Sequence, residues 1–230
     1  MSRDTAGRGR APRIALISAT PTAVAPAVAG LAEKFPEAEP WNLLDDRLLA
    51  DAPQAGPLPP ALVDRMGRLI DYALAGRADG VLLTCSLYGS VVEAVDTPVP
   101  LLAPDTAAFE QALAPGFGRV LVLASLEAAE QDSVARFSAA ATAAGSVTEP
   151  VGVVAPDALD AARRNDPSAL LEALRTACLP HIADVDAVLL AQYSLAPAAA
   201  PLSTALGLPV VSGPHAAATA LRSVLTRRPV

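Results

Sequence analysis

The chain has 230 residues, 52% of them apolar, and a formal net charge of −7. This length and apolar content exclude an intrinsically disordered chain and suit one large domain or two small ones. An acidic balance of 24 to 17 and only 3% aromatic residues argue against a nucleic-acid partner.

Residues 1–12 read as a flexible tail. Arg3, Arg8, Arg10 and Arg13 precede a charge-free run from Ile14 to Ala32, which is the outline of a signal peptide. Pro21, Pro26, Ser18, Thr20 and Thr22 interrupt that run, and a strand–helix unit accounts for it better, so the expected location is cytoplasmic. Residues 13–18 form the first buried strand, and a helix follows from Val24 to Lys34. Residues 39–43 are a second strand. Four prolines and a glycine between Ala52 and Pro60 mark a surface loop. Leu62, Met66, Leu69, Ile70 and Ala73 carry helical spacing, residues 81–84 form a buried strand, and residues 87–95 a helix.

The second half repeats the pattern. A strand at residues 119–124 leads into a helix over 127–144. Residues 151–154 are a strand, 167–182 a helix capped by Asn165 or Asp166, and 186–191 a strand. A last helix begins at His215. A second charge-free stretch, Ala187 to Leu221, is broken by Pro197, Pro201, Pro209 and Pro214 and does not read as a membrane span.

The halves superimpose in sequence. Arg13-Ile-Ala-Leu-Ile matches Arg119-Val-Leu-Val-Leu, and Ala78-Asp-Gly-Val-Leu-Leu matches Val185-Asp-Ala-Val-Leu-Leu. Arg13 lies 72 residues before Cys85, and Arg119 lies 73 before Gln192. Val99-Pro-Leu-Leu and Leu208-Pro-Val-Val extend the match. The expected fold is α/β: two similar parallel-sheet lobes related by a pseudo-twofold axis, with the active site in the cleft between them. Lobe 1 takes residues 13–105 plus a C-terminal segment from about 212 to 230, and lobe 2 takes residues 106–211.

Ligands of parallel α/β sheets sit at the carboxyl ends of strands. Cys85 stands there in lobe 1, between the hydroxyls of Thr84 and Ser86, ahead of a helix whose N-terminal N–H groups favour a thiolate and an anionic substrate. Gln192, followed by Tyr193 and Ser194, holds the matching place in lobe 2 and is expected to face Cys85. Gln192 donates and accepts hydrogen bonds without acting as a base. Ser18 ends the first strand and Ser125 the corresponding strand of lobe 2. These hydroxyls either bind an oxyanion or cap the next helices. His215 is a further candidate for the cleft. Cys178 and His181 fall in the helix over 167–182, the first as core and the second closing its C-terminal end. Two cysteines and two histidines make no metal site and no disulfide framework. There is no phosphate-cradling glycine loop and no nucleophile elbow.

Leu83-Thr84-Cys85-Ser86, the strand over 186–191 with its following segment, and the two-lobe repeat together resemble the aspartate/glutamate/hydantoin racemase superfamily, over about residues 12–225. That superfamily also holds arylmalonate decarboxylase and maleate isomerase. The resemblance implies a cofactor-independent enzyme, without metal, acting on a small carboxylate. In the racemases one cysteine from each lobe flanks the substrate α-carbon. Cys85 matches the first, whereas Gln192 replaces the second. A single thiol implies protonation from one face, as in a decarboxylase, or nucleophilic attack, as in a cis–trans isomerase; a non-catalytic ligand-binding relative is the other alternative. On this resemblance Cys85 is the acid/base or nucleophile and Gln192 or Tyr193 stabilises an enolate-like intermediate. Ser18, Thr84, Ser86, Ser125 and Ser194 hold the carboxylate. A homodimer is ordinary for such proteins.

Overall fold

The computed structural model describes residues 10–53, 57–114 and 116–227. Most of the expected N-terminal tail, and the centre of the loop from Ala52 to Pro60, lie outside the described residues. The first half holds strands β1 (Arg13–Ser18), β2 (Glu39–Leu44), β3 (Gly80–Leu83) and β4 (Leu101–Leu102). The second holds β5 (Arg119–Ala124), β6 (Glu149–Val154), β7 (Ala187–Leu190) and β8 (Val210–Ser212). All pairings are parallel, in the orders β2-β1-β3-β4 and β6-β5-β7-β8. The helices are α1 (Val24–Lys34), α2 (Arg47–Ala50), α3 (Pro60–Ala75), α4 (Thr106–Ala112), α5 (Glu127–Ala143), α6 (Asp157–Arg163), α7 (Pro167–Cys178), α8 (Ala199–Leu206) and α9 (Gly213–Arg227).

The apolar runs of the central strands are buried on both faces, as parallel strands between helices must be. In the first sheet Ala15, Ile17, Val81 and Leu83 pack against α3 through Met66 and Ile70. Ile14, Leu16 and Leu82 pack on the other face against α1 and α9 through Leu31, Ala217 and Leu221. In the second sheet Leu121, Leu123, Val188 and Leu190 meet α7 and α8. Val120, Val122 and Leu189 meet α4 and α5 through Phe109 and Phe137.

The repeat seen in sequence is a repeat of hydrogen bonds. At the entry to the first sheet Asp79 accepts from the Arg13 N–H at 2.7 Å and donates its own N–H to the Arg13 carbonyl at 2.8 Å. At the entry to the second, Asp186 accepts from the Gly118 and Arg119 N–H groups at 2.7 and 2.9 Å and donates to the Arg119 carbonyl at 2.8 Å.

Two helices differ from the sequence expectation. The segment after Cys85 is a 3₁₀ helix, Ser86–Ala94, rather than an α-helix. The helix starting at Pro167 stops at Cys178, short of Ile182. Pro180 has no N–H to continue the ladder, so residues 179–182 form a turn and His181 lies beyond the helix end. Its start is as expected: Asp166 accepts from the Ala169 N–H at 3.0 Å, with Pro167 in the first turn. The short helices α2, α4, α6 and α8 carried too few periodic positions to be read from sequence.

The two halves meet along α1, α4 and α9. Gly30 of α1 lies so close to α9 that a Cβ there would fall 2.8 Å from the Pro214 carbonyl carbon and oxygen. Gly30→Ala therefore forces two backbones apart, and about 1–3 kcal/mol of destabilisation is expected from overpacking against a smaller gain in helix propensity. Urea unfolding with an unchanged m-value measures it, and unchanged stability would contradict the contact.

The backbone N–H groups of Arg119 and Gly118 hold the Asp186 carboxyl below the usual aspartate range. A carboxyl acidity that is stronger when folded contributes stability above the unfolded pKa, and that contribution is lost as pH falls through the folded value. Asp186→Ala should thus lower Tm at neutral pH, with the gap to the parent narrowing as pH falls below the ordinary aspartate range. Melts across that acidic range test this, and a constant gap would refute it.

Candidate functional site

The candidate side chains stand where the ladders end. The last bonds of the two central pairs are Thr84 N–H to Ile17 O and Ala191 N–H to Leu123 O, both 3.0 Å. Cys85 and Gln192 are the next residues, each extended and each heading a 3₁₀ helix, Ser86–Ala94 and Tyr193–Ala198. The short 3₁₀ turn after β1, Pro21–Ala23, packs against Tyr193–Ala198.

In lobe 1, Thr84 Oγ1 donates to Ser18 Oγ at 2.9 Å, and both residues are buried. Cys85 and Ser86 are half-buried. Burial pushes the Cys85 thiol above its usual value; the Leu87 and Tyr88 N–H groups and Arg136 pull it down, and the charge of Asp105 pushes it further up. Burial is the largest of these influences and works against the thiolate expected at a helix N-terminus.

In lobe 2, the Ser125 N–H and hydroxyl both reach Gln192 Oε1, at 2.7 and 2.9 Å. The backbone N–H is an obligate donor, so it fixes the amide orientation and leaves the Gln192 NH₂ as the free, donating end. Ser125 therefore orients Gln192, and its hydroxyl proton is committed to that amide. By strand register it corresponds to Ala19, one position past Ser18.

Tyr193 is a correction to the expected enolate stabiliser. Its ring is buried among Ile14, Leu16, Leu82 and Ala217, its hydroxyl donates to Pro104 O at 3.2 Å, and burial pushes the phenol well above its usual value. Gly213 makes room for it: a Cβ there would lie 2.6 Å from Tyr193 Cε2. Ser194 is half-buried, and neither its hydroxyl nor that of Ser86 is bonded to another described residue. Both rings nitrogens of His215 are engaged: Nδ1 meets the Ser212 hydroxyl, and Nε2 lies 3.1 Å from Glu33 of α1. His215 thus links β8 to α1. Cys178 is buried core, and burial pushes its thiol up to about 12.

Two charged residues escaped the sequence reading. Asp105, just past β4, pairs with Arg136 of α5, and Arg136 also meets Asp132 at 2.9 Å and lies 5.5 Å from the centre of the Phe109 ring. Arg136 Nη2 is buried without a hydrogen-bond partner. An aspartate at the head of a helix reads as an ordinary cap, and an arginine amid a polar helix as an exposed one. Among the described residues no cluster of three His, Cys, Asp or Glu side chains is placed to hold a metal ion, and no helix is long and apolar enough to cross a membrane.

The family model for Asp/Glu/hydantoin racemases matches residues 13–221. The chain belongs to the Asp/Glu/hydantoin racemase family. Solved members of similar fold include the aspartate racemase of Picrophilus torridus, at TM-score 0.72 and 16% identity over 94% of this chain and 95% of that one. The allantoin racemase of Klebsiella pneumoniae has TM-score 0.67 and 16% identity over 94% and 88%. An unliganded arylmalonate decarboxylase has TM-score 0.60 and 20% identity over 95% and 96%. No curated protein sequence matches the chain significantly. The racemase-family fold in this chain thus carries one thiol and one amide at its two strand ends.

A thiol reagent under native conditions should modify Cys85 and spare Cys178, with denaturation releasing the second. The Cys85 rate should keep rising beyond about pH 8.5, the ordinary thiol range. Two rapidly reacting thiols in the folded protein, or a rate that levels off lower, would contradict this geometry.

Proposed function

We propose that the protein is a cofactor-independent proton-transfer enzyme acting on a small carboxylate, with Cys85 as its acid/base. The observation that carries this reading is the position of Cys85. It is the first residue past the last ladder bond of a central strand pair, half-buried and heading a 3₁₀ helix, in a chain of the racemase family. A carbanion next to a carboxylate is an enolate-like species whose charge sits on oxygen, so it needs donors at that oxygen and one proton source at carbon.

The residues supply both. The Gln192 NH₂, oriented by Ser125, donates to the developing oxyanion. The hydroxyls of Ser86 and Ser194 hold the substrate carboxylate, with Ser18 and Thr84 as the buried floor beneath. Cys85, resting as a thiol, protonates the carbon from its own side. Because Gln192 cannot exchange a proton as a second thiol would, one face of the intermediate is served and the other is not. That asymmetry favours stereoselective decarboxylation, or exchange with retention, over two-base racemisation.

The test follows α-proton exchange and product formation in deuterated water over a panel of small mono- and dicarboxylic acids. The parent should exchange or decarboxylate at least one of them, with deuterium delivered to a single face. Cys85→Ala should lose about 10²–10⁴-fold of that rate, the usual contribution of a positioned acid/base. Undiminished turnover in Cys85→Ala would overturn the assignment, and rapid inversion by the parent would show that a second proton donor exists.

A further inference from the structure

The functional reading makes no use of the most deeply placed charged group beside Cys85. In the β3–β4 register Leu82 lies opposite Leu102, and Cys85 and Asp105 each follow three residues further along their chains. The 3₁₀ helix after Cys85 closes over the same segment. A Cβ on Gly89 would lie 3.8 Å from Ala103 Cβ, 3.9 Å from Pro104 Cδ and 4.0 Å from an Asp105 carboxylate oxygen. The backbone of that segment is pinned from the other side by the Tyr193 hydroxyl on the Pro104 carbonyl. The Asp105 side chain is only 15% exposed, and its partner Arg136 arrives from α5 of the second lobe, itself braced by Asp132 and the Phe109 ring.

A carboxylate with so little access to water takes up a proton unless a cation faces it; Arg136 is that cation. A carboxylate kept charged beside a thiol opposes formation of a second negative charge on sulfur, and does so strongly because water screens the pair poorly. We propose that Asp105, held ionised by Arg136, is a positioning residue for the chemistry at Cys85: its charge keeps the sulfur protonated between turnovers, so that Cys85 meets the substrate as a proton donor. The inference rests on the reading of Cys85 as the acid/base. In the donor step the S–H bond breaks and a C–H bond forms from the substrate's carbanion electron pair. The sulfur keeps the S–H pair as thiolate, and Asp105 then favours its return to thiol by a proton from solvent.

The titratable groups on all sides of the pair enter the expected behaviour. Asp105 and Arg136 act on Cys85, Arg136 and Asp132 act on Asp105, and the charges of Cys85 and Asp105 in turn raise Tyr88 and Tyr193. Burial raises Asp105 above the usual aspartate range, and Arg136 opposes that rise without cancelling it.

Alkylation of Cys85 by iodoacetamide, followed by peptide mass spectrometry across a range of pH on the full chain, reads the sulfur directly and needs no substrate. Asp105→Asn should move the profile to lower pH and raise the rate near neutral pH by about tenfold for each unit of displacement. Asp105→Glu, which keeps the charge, should follow the parent. The double variant Asp105→Asn with Arg136→Gln leaves no unpaired buried charge and covers a failure of the single variant to fold. Its profile should lie between those of the parent and Asp105→Asn. Profiles for Asp105→Asn and the double variant that coincide with the parent's would overturn the proposal, as would an Asp105→Glu shift equal to that of Asp105→Asn. A displaced profile together with full turnover in Cys85→Ala would sink only the functional reading. An unmoved profile with turnover lost in Cys85→Ala would sink only this one.

Discussion

Everything at the site depends on the pairing of two central parallel strands in each sheet. β1 and β3, like β5 and β7, are buried on both faces, so their backbone groups must pair with each other and with the outer strands on either side. The ladder holds until Thr84 N–H meets Ile17 O and Ala191 N–H meets Leu123 O. At the next residue the constraint ends in both lobes, and the chain turns into a 3₁₀ helix. Cys85 and Gln192 are those residues. Their chemistry is available because they are the first side chains freed from the ladder, and their positions are well defined because the ladder is continuous up to them.

The backbone repeat is close, while the side chains at its two exits are not equivalent. Lobe 1 ends in a paired Thr84 and Ser18 below a thiol. Lobe 2 has Ala191 and Ala124 at the matching places, and its polar pair, Ser125 and Gln192, sits one step further on. The first lobe presents a thiol there, and the second a carboxamide oriented by Ser125. Charge deepens the asymmetry, because the buried Asp105 and its Arg136 partner lie on the Cys85 side.

The junction combines close backbone approaches with apolar residues of α9, which packs on the first sheet through Ala217 and Leu221 and on the second through Ala216. Gly30 against Pro214 and Gly213 against Tyr193 are approaches that only a residue without a Cβ allows. Tyr193 fills the junction from lobe 2, its hydroxyl on Pro104, and His215 bridges β8 to Glu33 of α1. Residues that looked like site chemistry thus serve as joints. A phenol or imidazole in a charge-free segment carries no mark in sequence of whether its polar atom meets a ligand or a neighbouring carbonyl.

The sequence by itself determined three strands in each half, the long helices and the identity of the two residues that follow the matched strands. Those follow from local signals: apolar runs of strand length, helical spacing, and the matched aspartates Asp79 and Asp186 that bind the entry of each sheet. The early stop of α7 was local as well, written in Pro180 and passed over. Only the tertiary structure decided the roles around the site. Hydrogen bonds from Ser125 fix the Gln192 amide, burial outweighs the N–H groups at Cys85, and Arg136 crosses from one lobe to meet Asp105 in the other. Each of these is a contest between groups far apart in the chain, settled by desolvation and distance, and neither quantity exists until the lobes have closed on each other.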